Sequence, residues 1–121
     1  EPICRAETLL INNISEALAF LNVLGNPENL GILYDTYHSW YEDGVMTDAI
    51  KAASGKITNV HFADSNRGLP GTGTINFGEV YEAIKNTGYK GAYALETLSI
   101  PSSDHVKMHG AVSIMSIINA G

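Results

Sequence analysis

One cysteine, Cys4, stands in 121 residues, so no disulfide can close within the chain. A reducing compartment, the cytoplasm, is the location expected from that usage. Basic charge is also scarce: Lys and Arg number 7 against 13 Asp and Glu, a formal net charge of −6. That balance opposes a nucleic-acid partner, whose phosphates require a basic face. No apolar run approaches the roughly 20 residues needed to span a bilayer, so no membrane partner is expected. The N-terminus shows no signal-peptide pattern. The chain opens Glu-Pro-Ile-Cys-Arg without an initiator Met, and further residues upstream are expected. What is present is a globular composition, 45% hydrophobic and 17% charged, with enough length for one modest core.

Four segments read as helices. Asn13 followed by Glu16 resembles a capping box, Gly25 closes the segment, and Ile14, Leu18, Leu21 and Leu24 form an apolar stripe. A shorter helix is predicted from about Met46 to Ser54, stopped by Gly55. Asn76 and Glu79 repeat the first device, with Phe77, Val80, Tyr81 and Ile84 inward and Gly88 as the stop. The fourth runs from about Ser103 towards Ile118, with Val106, Ser113, Ile114 and Ile117 inward. Between them, the short apolar runs 31–34, 57–62 and 92–95 follow glycine stops, are too short for helices and read as strands. This alternation predicts a parallel sheet with helical crossovers.

The strand ends carry the chemistry. Asp35 follows the first strand, His61 lies in the second and Glu96 ends the third, at separations of 26 and 35 residues. Glu1, 34 residues before Asp35, falls in phase as the last residue of a further strand. Parallel βα units place all strand C-termini on one side, where α/β folds keep their sites. Singly, Asp35 or His61 reads as a cap or a satisfied core residue and Glu96 as a loop charge; four in phase point to a site. Three carboxylates and an imidazole favour Mn²⁺, Mg²⁺ or Co²⁺ over a structural zinc, which prefers thiolates. Residues 68–73 are glycine-rich but lack the Lys-Ser/Thr ending of a phosphate loop, so nucleotide binding is rejected. They read as a tight loop presenting Arg67.

The blocks Asp35-Thr36-Tyr37-His38, His61-Phe62-Ala63-Asp64-Ser65-Asn66-Arg67, Pro70-Gly71-Thr72-Gly73 and Leu95-Glu96 resemble the sugar isomerases and epimerases with a xylose-isomerase-like TIM barrel. The nearest likeness is to ketose 3-epimerases of the D-tagatose and D-psicose type, and it covers essentially the whole chain. The resemblance implies that Glu1, Asp35, His61 and Glu96 are metal ligands, with Mn²⁺ the first choice. It implies that Glu1 and Glu96 exchange protons with a ketose through a cis-enediolate, and that Glu7, His38 and Arg67 contact substrate oxygens. The implied fold is α/β: residues 1–121 as the C-terminal half of a (β/α)₈ barrel, strands five to eight. Such a barrel takes about 250 residues. The chain alone is then expected to be inactive, and the full-length protein to be a homo-oligomer.

Two other readings compete. A zinc-dependent apurinic-site endonuclease on the same fold shares the Asp-Thr-x-His and His-x-x-Asp-Ser patterns. It requires an Asp-x-His pair where this chain has Thr74, Ile75 and Asn76. A barrel half used as a non-catalytic binding module is the second. Bound metal separates the three: one divalent ion, three zincs, or none.

Overall fold

The computed structural model describes residues 1–120. The elements follow the chain as α1 (Ile14–Val23), β1 (Ile32–Asp35), α2 (Thr36–Glu42), α3 (Met46–Ala52), β2 (Ile57–Phe62), α4 (Phe77–Asn86), β3 (Tyr93–Leu95) and α5 (Ser103–Ala120). The predicted alternation is present with one addition, α2, which leaves β1 without a loop. Its sequence, Thr-Tyr-His-Ser-Trp-Tyr-Glu, is poor in strong helix formers. It folds because the Asp35 carboxylate accepts from the Tyr37 and His38 amides, at 2.7 and 3.3 Å, and so caps it.

Asn13 and Asn76 cap α1 and α4 as predicted, whereas α3 starts at Val45 without a side-chain cap. Asn13 Oδ1 accepts from the Glu16 amide at 2.9 Å. The returning Glu16 carboxylate takes the Asn12 amide at 2.7 Å, one residue earlier than a standard capping box. Gly25 and Gly88 sit at φ +79° and +80°, the left-handed conformation that ends a helix cheaply only with glycine. Of the predicted α1 stripe, Ile14 and Leu21 are buried and Leu18 half-buried, whereas Leu24 is exposed and Ala17 takes its place inside. The α4 face, Phe77, Val80, Tyr81 and Ile84, is buried as predicted. On α5, Ile117 is buried and Val106, Ser113 and Ile114 are half-buried.

The strands form one parallel sheet in the order β1-β2-β3. Ile32, Tyr34, Val60 and Phe62 point to one face and pack with Ile50, Val80 and Ile84 into the core. Strand alternation sends Asp35, Asn59, His61 and Ala94 to the opposite face, where none of them joins the buried apolar core. Register sets Asp35 beside His61 and His61 beside Ala94, and the Glu96 amide then donates to Phe62 O at 3.2 Å. Residues 1–4, where Glu1 was expected to end a strand, carry no strand; the sheet has three strands among the described residues.

Candidate metal and substrate site

Asp35, His61 and Glu96 meet at the C-terminal end of the sheet because the register puts their strand ends side by side on one face. His61 Nδ1 lies 3.1 Å from Glu96 Oε2 and 3.9 Å from Asp35 Oδ2. Glu1 joins them from the N-terminal segment although it ends no strand. One ligand atom from each of Glu1, Asp35, His61 and Glu96 lies within 4.8 Å of all the others.

The carboxylates strain against one another. Burial pushes the Asp35 carboxyl up to about 7, and the neighbouring Glu96 adds to the effect. Burial, with Glu96 second, also raises Glu1. Glu96 pays some desolvation, but Asp35 and His61 beside it hold it below the ordinary carboxylate range. Asp35 Oδ1 caps α2, while Oδ2 is buried and lacks a hydrogen-bond partner. An orphaned carboxylate oxygen facing two more carboxylates and an imidazole fits a divalent cation, and this donor set suits a hard or borderline ion.

Around this cluster stand the other expected residues. His38 is buried; its Nδ1 accepts the Cys4 amide at 3.2 Å, which leaves the proton on Nε2, 3.8 Å from Glu1 Oε1. Burial, reinforced by Arg67, keeps its pKa below the usual histidine value. The neutral ring therefore offers an N–H to the site. Glu7 pairs with the Arg67 guanidinium, which also lies over the Tyr37 ring at 4.7 Å from its centroid. All seven expected residues are thus on one side of the sheet.

Three contributors were not singled out by the sequence. Thr36 Oγ1 donates to Ala63 O and accepts from the Ala63 amide, at 2.7 and 2.9 Å, locking the ends of β1 and β2. Asp64, fully buried, accepts the amides of Ser65, Gly71 and Ile75 and staples the loop that carries Arg67. Tyr37 supplies the face under Arg67. All three lie inside the blocks that signalled the site, but only their contacts disclose their work.

The pattern of the xylose isomerase-like TIM barrel matches residues 1–109. The chain belongs to that family. Among curated relatives of this xylose isomerase-like chain is the ketose 3-epimerase of Arthrobacter globiformis, 37% identical over 99 residues, covering 82% of this chain and 34% of the relative. Among solved structures, D-allulose 3-epimerase from Methylomonas sp. in complex with D-allulose is 35% identical. It has a TM-score of 0.75 and covers 81% of this chain and 34% of that one. A family 2 AP endonuclease from Brucella melitensis, 24% identical over 79% of this chain and 38% of its own, with a TM-score of 0.73, shares the fold. The chain spans about a third of the length of the relatives it matches.

Proposed function

We propose that this chain is the C-terminal half of a metal-dependent ketose epimerase, its three strands the sixth to eighth of the barrel and its fifth represented only by Glu1, which ends no strand. The observation that carries this reading is the convergence of two further carboxylates and one imidazole on an orphaned, buried Asp35 oxygen. Relatives named as ketose 3-epimerases support the substrate class. The two sheet edges left unpaired among the described residues support further βα units, for a closed barrel would pair both.

In this reading Glu1, Asp35, His61 and Glu96 hold the ion, Mn²⁺ by preference. When bound, it supplies charge stabilisation for an enediolate and a fixed register for adjacent substrate oxygens. One of Glu1 and Glu96 removes the proton from the carbon that is inverted, and the other returns one on the far side. General acid–base work of this kind contributes about 10²–10⁴-fold. The His38 Nε2–H and the Arg67 guanidinium donate to substrate oxygens, and Glu7 accepts from a hydroxyl.

Turnover of a ketose in D₂O by the full-length protein tests the mechanism. Deuterium is expected on the epimerised carbon, because a carboxylate open to solvent exchanges the proton, and Glu96→Gln is expected to nearly abolish turnover. A hydride shift carries no solvent label, so a product without carbon-bound deuterium would refute the two-glutamate route. The apurinic-site endonuclease reading is weaker: the residues Thr74, Ile75 and Asn76 offer no Asp-x-His pair, and the net charge of −6 opposes DNA.

A further inference from the structure

We propose that Tyr37 is a positioning residue for Arg67, and that its ring face sets the guanidinium plane presented to the substrate. The inference rests on the epimerase reading for its kinetic consequence and on geometry for its substance. Two groups hold the Arg67 side chain: the Glu7 carboxylate and the Tyr37 ring, whose centroid is 4.7 Å from the guanidinium carbon. They are unequal supports. The Glu7 side chain is 44% exposed on a loop, so its ion pair with Arg67 is screened and weakly directing. Glu7 is also proposed to accept from a substrate hydroxyl, so its carboxylate is shared once a sugar is present.

Tyr37 has neither weakness. It sits in the first turn of α2, where the Asp35 carboxylate accepts its amide at 2.7 Å. Its ring is wedged edge-to-face against His38 and Tyr41, each at 5.2 Å between centroids. The Tyr41 hydroxyl donates to Ser65 O at 3.1 Å, which ties the same helix to the loop that bears Arg67. The backbone of Arg67 is held as firmly: it lies at φ +57°, with its amide on Asp64 O at 2.7 Å and its carbonyl accepting the Leu98 amide at 2.8 Å. A fixed root and a fixed ring face together restrict where the guanidinium can sit. The ring needs only its π face for this, so the phenol hydroxyl is dispensable.

The test uses the full-length protein, with D-psicose as substrate. Tyr37→Leu, which removes the face, is expected to raise KM about two- to fivefold with a smaller change in kcat, the span of one cation–π contact. Tyr37→Phe, which keeps the face, is expected to restore wild-type KM. In an Arg67→Met background, Tyr37→Leu is expected to add nothing. An unchanged KM in Tyr37→Leu, an equal loss in Tyr37→Phe, or the same loss on top of Arg67→Met each overturns the proposal. A second measurement stands apart from turnover: the Arg67 Nε–H proton resonance, shifted upfield by the ring, should move downfield in Tyr37→Leu and stay in Tyr37→Phe. A wild type that turns over no ketose sinks the epimerase reading alone; an Arg67 resonance indifferent to Tyr37→Leu sinks the positioning role alone.

Discussion

Asp35 does two jobs with two oxygens. One starts α2 and the other is left buried beside Glu96 and His61. Capping fixes the rotamer, and the fixed rotamer aims the free oxygen, so the site is preorganised by a helix that the carboxylate itself nucleates. His61 carries no such structural duty: its side chain is partly exposed and touches chiefly Asp35, Glu96 and Asn59. His61→Ala is therefore expected to strip the full-length protein of its bound divalent ion while leaving its melting midpoint within a few degrees. Metal content by elemental analysis together with circular dichroism checks it; retention of the ion would remove His61 from the ligand set.

The loop between β2 and α4 is organised around one buried anion. Burial alone would raise the Asp64 pKa, but amides of Gly73, Ile75, Ser65 and Gly71 outweigh it and hold the carboxyl below its usual value. A carboxyl with a depressed folded pKa adds stability that is present above its unfolded value of about 3.9 and is lost as pH falls through the folded value. Asp64→Asn is expected to cost about 1–3 kcal/mol at pH 7, because the amide group cannot accept from all of these donors. The same variant should lose less stability than wild type between pH 4 and 2, which urea titrations across that range would read. Gly73 belongs to the same device: a Cβ there would lie 2.3 Å from Asp64 Oδ1. Gly73→Ala is expected to destabilise by about 1–3 kcal/mol and to disturb the loop bearing Arg67, measured as a lowered midpoint.

Across the molecule, β1 and β3 each keep one edge unpaired among the described residues, and Asn59, His61 and Ala94 lie outside the apolar core. Large apolar side chains stay outside as well, among them Leu9, Leu10, Met108 and Val112. Open edges and exposed apolar surface favour self-association. The 121-residue chain expressed alone is expected to elute as oligomers or aggregates and to show no epimerase activity, whereas the full-length protein should be active with added Mn²⁺. Gel filtration and a ketose assay on both decide it. A monomeric, active chain would contradict the half-barrel proposal.

Local rules written in the sequence were sufficient for the strands, four of the five helices and the in-phase residues Asp35, His61 and Glu96. Caps, glycine stops and short apolar runs act over a few residues, and parallel βα units carry strand-end residues to one side whatever the details. The sequence did not disclose α2, because its residues have no strong helical preference and the Asp35 carboxylate had to be seen capping it. Nor did it disclose that Glu1 reaches the cluster without a strand, that Ala17 replaces Leu24 in the core, or that Tyr37 and Asp64 support Arg67. Those facts depend on contacts between segments far apart in the chain. Spacing can say which residues share a face; only packing decides which of them touch, which carboxyl has its pKa raised, and which oxygen is left without a partner.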